Sequence, residues 1–154
     1  MAVYDPCHNA HEKAHLLRRR YQLPALAEGQ HLMLICDSQV TAVTMAPQLG
    51  ARVLEVLGRN LLAPAPPVVA SPRGDRWTML CVPGAPGAEV CGVLDLAQCG
   101  VGVAIAGRRV LLPSADHGTG HRWVGELAPG IGRRLPDRAA VIAAIQQAHA
   151  LAAA

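Results

Sequence analysis

Three times along the chain, two short apolar segments precede a helix-like pattern, and this rhythm constrains the fold more than any other feature. The paired segments are residues 31–36 and 40–45, 68–70 and 76–82, and 101–106 and 108–112. Turn-forming residues separate the two members of each pair, which is typical of β-hairpins. Hairpins that alternate with helices favour an α+β single domain with a mainly antiparallel sheet and helices over one face.

Periodic apolar residues predict four helices. Asp5-Pro6 indicates the start of the first helix, because Asp caps free amides and Pro suits the first helical position. A second helix is predicted from Pro47 to Gly58, and a fourth from Asp137. The third helix is predicted to bury a face made of Val90, Val93, Leu94 and Ala97.

The composition restricts what can fill the core. The chain has 154 residues, a length typical of one domain, so residues 1–154 are predicted to form a single domain. Phe is absent, so Leu, Val, Ile and Met must fill the interior. The two tryptophans, Trp77 and Trp123, are predicted to be substantially buried because they are the largest apolar side chains.

Cysteine usage and hydropathy indicate a cytoplasmic protein. The chain has five cysteines, an odd number, and no two of them are spaced as Cys-x-x-Cys. Reduced thiols in a cytosol are therefore favoured over a disulfide framework. The longest apolar tract, residues 139–154, is too short and too polar to span a bilayer, so no membrane partner is expected. The net charge of +3 permits an anionic partner without requiring one.

Three histidines near the N-terminus form the first candidate site. At helical spacing His8, His11 and His15 lie on one face, where three imidazoles could bind a zinc ion. The alternative is a polar stripe that faces solvent. Structural zinc sites usually draw ligands from two elements, and no second ligand pair follows, so neither a metal nor another cofactor is predicted.

The second candidate is the segment from residue 113 to residue 123, which follows a predicted strand. Its glycines would let backbone amides approach a phosphate, and its hydroxyl, imidazole and guanidinium groups would add donors. The predicted anion- or nucleotide-contacting residues are Ser114, His117, Gly118, Thr119, Gly120, His121 and Arg122. The alternative is an ordinary glycine-containing surface loop.

Catalysis by the same segment is a further hypothesis. Ser114, Asp116 and two histidines, His117 and His121, fall within nine residues. A hydrolase or a metal enzyme could use side chains of these types. Triad members usually come from separate segments, however, and the Gly-x-Ser-x-Gly turn is missing. No acid is followed two residues later by a second acid, so a two-metal platform for phosphoryl transfer is missing as well. No catalytic residue is predicted.

Arginines form a third candidate, a basic patch that could contact a phosphate backbone. Whether the fold gathers them on one face is left open, since they are scattered along the sequence. They are Arg18, Arg19, Arg20, Arg73, Arg76, Arg108, Arg109, Arg133 and Arg134.

The segment from Val101 to Trp123 resembles the C-terminal part of bifunctional DNA primase/polymerase domains of the archaeo-eukaryotic primase superfamily. The shared pattern is an apolar run (101–105), a glycine turn (Gly107) and a second apolar strand leading to Pro113-Ser114. Asp116-His117, the glycines and His121-Arg122-Trp123 follow. Leu112 replaces the first proline of the family pattern, and His121 replaces its aromatic residue.

This resemblance covers about 23 residues and implies a fold and a nucleotide-facing loop, as in short actinobacterial forms of the domain. The family's acid-x-acid strand and its Gly-Gly-x-His motif are missing, although Arg76-Trp77-Thr78 occupies the corresponding strand. The leading hypothesis is therefore a non-catalytic accessory module that binds nucleic acid or a nucleotide. A protein-interaction or regulatory domain is the alternative, and a small hydrolase or metal enzyme using His117 and His121 is the third.

Overall fold

The computed structural model describes residues 3–5, 7–59, 64–84, 93–125 and 135–153, which form an α+β domain, as predicted. The helices are α1 (Ala10–Arg20), α2 (Pro47–Gly58), α3 (Val93–Gln98) and α4 (Arg138–Ala153). The strands are β1 (Leu26–Glu28), β2 (His31–Ile35), β3 (Thr41–Met45), β4 (Val68–Ala70), β5 (Trp77–Cys81), β6 (Gly102–Val103), β7 (Arg109–Leu112) and β8 (Arg122–Trp123).

The named strands form two antiparallel sheets. The first sheet has the order β1-β2-β7, and the second sheet has the order β6-β3-β5-β4-β8. Strands β4 and β5 pair directly, with Val68 opposite Met79, which confirms the predicted hairpin over residues 68–82. Its turn is local: Ser71 N donates to Arg76 O at 2.9 Å, and Gly74 N donates to Ser71 O at 2.9 Å.

The other two predicted hairpins are wrong. Strands β2 and β3 follow one another in sequence but belong to different sheets, and so do β6 and β7. Instead, β2 pairs with β7 and β3 pairs with β6. The segments 31–45 and 102–112 therefore form one long antiparallel ribbon that bends from the first sheet into the second.

The bend of this ribbon has identifiable causes. Asp37 Oδ1 accepts from Gln39 N at 2.8 Å and from Val40 N at 3.1 Å, so the predicted turn exists. At this turn the chain passes from the first sheet into the second instead of forming a hairpin. On the facing segment Gly107 has a φ of +89°, which favours glycine, and its N donates to Cys36 O at 2.7 Å. These bonds hold the two halves of the ribbon together where they leave one sheet for the other.

The second sheet separates two apolar clusters. On one of its faces Ala42, Val69 and Leu80 join α1 and the inner face of the first sheet. On the other face Val43 and Met79 pack with α2 and α4. Helices therefore lie on both sides of the second sheet, and the prediction of helices over one face is wrong. A central sheet that is buried on both faces explains why β3 and β4 lack polar alternation.

The helix boundaries agree with the sequence at α2 and differ at α1. Helix α2 runs from Pro47 to Gly58, as predicted. Helix α1 begins at Ala10 rather than at Asp5-Pro6, because Asn9 is its N-cap and accepts from Glu12 N at 2.9 Å. Glu12 Oε2 accepts from the amide of His8, the residue before the cap, at 2.7 Å, which also helps to fix the start of the helix.

The remaining two helices are close to their predicted positions. Helix α4 starts at Arg138, one residue after the predicted start. In α3 Leu96 is buried whereas Ala97 is exposed, so the predicted buried face is wrong at Ala97. Val90 lies outside the described residues.

Neither tryptophan is fully buried. Trp77 and Trp123 are half-buried, each at the rim of one apolar cluster. Leucine, methionine, valine and isoleucine side chains occupy the fully buried positions instead, including Leu17, Leu34 and Met79. The prediction that both indoles are substantially buried is therefore confirmed only in part.

Candidate functional site

The candidate loop joins the two sheets. It leaves β7 in the first sheet at Leu112 and reaches β8 in the second sheet at Arg122. Strand β8 pairs with β4, with Ala70 opposite Arg122 and Val69 opposite Trp123. Both ends of the loop are thus fixed by sheet hydrogen bonding.

Three side chains fasten the first half of the loop to the N-terminal segment and α1. The carboxylate of Asp116 accepts from Val3 N at 2.5 Å and from Tyr4 N at 3.0 Å. The hydroxyl of Tyr4 donates to Pro113 O and accepts from Trp123 Nε1 at 3.4 Å. Lys13 Nζ donates to Ser114 O at 2.5 Å. The first half of the loop is therefore held in a fixed position.

Burial reinforces the protonated state of the Tyr4 hydroxyl. Burial is the largest cause that raises the pKa of Tyr4, while the bond from Trp123 acts in the opposite direction. The phenol therefore stays protonated and keeps its donor at physiological pH. Asp116 uses its carboxylate on backbone amides, so it does not orient the imidazole of His117 or His121.

The second half of the loop is open to solvent. His117, Gly118, Thr119 and Gly120 are all exposed. Gly118 has a φ of +126°, a conformation that side-chain-bearing residues rarely adopt. His121 is half-buried, and burial lowers the pKa of its imidazole, so that ring is neutral near pH 7. Such a tip exposes backbone amides and uncharged donors.

Arg122 ends the loop beside the β4–β5 turn. An atom built at the Cβ position of Gly74 would lie 3.9 Å from Arg122 Nη2, so the guanidinium reaches that turn. Arg73 belongs to the same turn, and both arginines are exposed. Within the described residues neither side chain forms a hydrogen bond or an ion pair. The nearby acid, Asp75, accepts from Ser71 Oγ at 2.9 Å.

Several other arginines form bonds within the fold. Arg76 donates to Gly100 O at 3.1 Å and to Thr44 Oγ1 at 3.2 Å. Arg18 donates to Ala25 O at 2.7 Å. Arg59 pairs with Glu55, and Arg109 pairs with Glu28, each at 3.2 Å. Arg133 and Arg134 lie outside the described residues.

A cleft of about 470 Å³ lies beside the fastened half of the loop, and Lys13, Cys7, His117 and Asp116 are among its lining residues. Burial is the largest cause that raises the pKa of the Cys7 thiol, so the thiolate needed for nucleophilic attack is disfavoured. No bonded relay of nucleophile, imidazole and acid is formed by Ser114, Asp116 and His117 in the described structure.

The histidine stripe is solvent-facing. His8, His11 and His15 are all exposed. Over residues 3–5, 7–59, 64–84, 93–125 and 135–153 no group of three His, Cys, Asp or Glu side chains could hold a metal ion.

Among the described cysteines, Cys7, Cys36, Cys81 and Cys99, no disulfide forms, and Cys91 lies outside the described residues.

The anchor of the loop was missed at the sequence level. Tyr4 and Lys13 contact residues more than 100 positions away, and no local motif marks such a contact. Arg73 could be recognised only as one of many scattered arginines. The resulting arrangement is a surface loop with a fastened base, an exposed tip and two guanidinium groups that pair with nothing in the described part of the chain.

Comparison with protein-family models, with curated proteins and with solved structures finds no match to this chain. In the described part of the chain, no helix has both the length and the apolar character needed to cross a bilayer.

Proposed function

We propose that this chain is a non-catalytic module that binds phosphate groups of nucleic acid or nucleotides through the loop from residue 113 to residue 122. The observation that carries the proposal is the pair Arg122 and Arg73, two exposed guanidinium groups beside the exposed loop tip. Unpaired arginines offer charge-assisted donors to phosphate oxygens without first breaking an internal bond.

The geometry of the tip supports the same ligand class. Gly118 and Gly120 leave backbone amides accessible, and Thr119 adds a hydroxyl donor. Asp116 carries a negative charge next to the tip, and the backbone amides of Val3 and Tyr4 that donate to its carboxylate offset part of that charge. A neutral His121 adds hydrogen-bonding capacity without a charge. The resemblance of residues 101–123 to primase/polymerase domains points to a nucleotide-facing loop at the same place.

Titration of labelled single-stranded DNA, duplex DNA and nucleotides, followed by fluorescence anisotropy at low salt, tests the proposal. We expect binding to at least one of these ligands, weakened in Arg122→Ala and in Arg73→Ala. Arg59→Ala is the matched control, because Arg59 is an exposed arginine that pairs with Glu55 on α2. Absence of binding to every ligand would reject the proposal and favour a protein-interaction role.

A protein-interaction role has its own supporting observation. Five large apolar side chains are exposed among the described residues, and three of them, Leu26, Ile35 and Leu111, belong to the first sheet. Exposed apolar surface that is gathered on one face is typical of interaction sites.

A further inference from the structure

We propose that the outer face of the first sheet, defined by Leu26, Met33, Ile35 and Leu111, is the contact between two copies of this chain. The inner face of this sheet packs into the first apolar cluster through the alternate residues Leu32, Leu34, Val110 and Leu112. Since side chains alternate along a strand, the four residues of the outer face point the other way.

The strand register collects these side chains. Leu26 lies opposite Met33, and Met33 lies opposite Leu111, so one apolar row crosses all three strands. Leu26 and Leu111 are each 45% exposed and Ile35 is 38% exposed, whereas Met33 between them is only 7% exposed. Met33 and Leu111 also line a cavity of about 440 Å³ on this face, together with Glu28, His31 and Arg109. A second surface that covers the exposed side chains of this face would remove them from water, and that burial would stabilise the contact.

The charges on the face fit a second copy better than another partner. Glu28 lies opposite His31 at one end of β2, and Arg109 lies opposite Ile35 at the other end. The backbone positions of Glu28 and Arg109 thus lie at opposite corners of the face, which has no excess charge of either sign. A two-fold axis near Met33 would place each Arg109 against the second copy's Glu28, which makes the face self-complementary.

Within one chain these two groups already meet across the apolar row. Arg109 Nη1 lies 3.2 Å from Glu28 Oε2, and because β2 separates β1 from β7, the ion pair crosses over β2. Both side chains are about two-thirds exposed, so the pair adds little to the stability of the single chain. Breaking this ion pair within one chain, so that each residue pairs with the second copy instead, therefore costs the single chain little stability.

The size of the face sets the expected strength. Three strands of three, five and four residues, about 4.8 Å apart, give a contact smaller than a standard interface. We therefore expect a reversible dimer with a Kd on the order of 10–100 µM. A dimer of this strength is populated only when the protein is concentrated.

Sedimentation velocity between about 1 µM and 1 mM tests this inference. The wild-type chain is expected to shift from monomer to dimer over that range. Leu111→Glu should weaken the dimer about 100-fold or more, because a charge replaces an exposed apolar contact at the β7 end of the row. Leu151→Glu is the control, since Leu151 is another exposed leucine but lies on α4.

A charge exchange adds a second line of evidence. Glu28→Arg alone and Arg109→Glu alone should each weaken the dimer, and the double variant should restore it. If Leu111→Glu fails to fold by circular dichroism, Leu26→Glu replaces it. Arg122→Ala should leave the dimer unchanged, which separates this inference from the phosphate-binding proposal. A wild-type chain that stays monomeric at 1 mM, or equal effects of Leu111→Glu and Leu151→Glu, would overturn it.

Discussion

Asp116 Oδ2 lies 3.0 Å from the backbone nitrogen of Tyr4, and this bond joins the candidate loop to the other end of the chain. Asp116→Ala would remove that bond and the one from Val3, leaving two amide donors without their partner. We expect the free energy of unfolding to fall by about 1–3 kcal/mol in urea titrations. Asp75→Ala is the control, since Asp75 makes only an exposed bond and should change stability by less than about 0.5 kcal/mol. Equal stability of Asp116→Ala and wild type would contradict the anchoring role.

Helix α2 approaches Trp77 closely at Gly50. A Cβ atom at Gly50 would clash with Trp77 Cε3, so the indole would have to shift. We expect Gly50→Ala to destabilise the fold by about 1–3 kcal/mol through overpacking. At Gly58 the Cβ position is open, so Gly58→Ala should be neutral or stabilising, by up to about 1 kcal/mol. Thermal unfolding of both variants would measure the difference, and a Gly50→Ala variant as stable as Gly58→Ala would refute the close contact.

Gln22 has a φ of +56°, and no other non-glycine residue in the described ranges has a positive φ. It follows the C-terminus of α1, a position at which glycine carries no steric penalty. We expect Gln22→Gly to raise the free energy of unfolding by about 0.5–1 kcal/mol. Gln22→Ala keeps the Cβ atom and loses the exposed bond from Nε2 to Arg19 O, so it should give no gain. Chemical denaturation of the two variants separates backbone strain from the side-chain bond.

His121 links stability to pH. Burial lowers its pKa in the folded protein below the usual value of 6.5, so the unfolded chain binds a proton first as the pH falls. The contribution of the neutral ring is therefore complete above about pH 6.5 and is lost as the pH falls below that value toward the lower folded pKa. Urea titrations at pH 7.5 and pH 5 should show a smaller loss of stability in His121→Gln than in wild type. His117→Gln, which removes an exposed imidazole, should retain the wild-type difference.

Local signals predicted the elements but not their partners. The turn between β4 and β5 closes through bonds within residues 71–76, so its hairpin could be recognised from the sequence. The segments 31–45 and 102–112 pair with each other across about 60 residues or more, and their apolar patterns fit either arrangement. Only long-range packing decides that each segment contributes to both sheets.

The candidate loop shows the same division. Its exposed tip and its glycines follow from local composition, and both are present in the structure. Capture of Asp116 by residues more than 110 positions away in the chain has no local signal. The position of Arg122 next to the β4–β5 turn likewise depends on the pairing of β8 with β4.

The most direct test of phosphate contact at this loop is the salt dependence of binding to a single-stranded oligonucleotide. A plot of log K against log salt concentration should have a negative slope for the wild-type chain. Loss of one phosphate contact in Arg122→Ala should make that slope shallower by roughly 0.7, while Arg59→Ala should leave it unchanged. If Arg122→Ala binds with the wild-type affinity and slope, the loop does not contact phosphate and the central proposal is wrong.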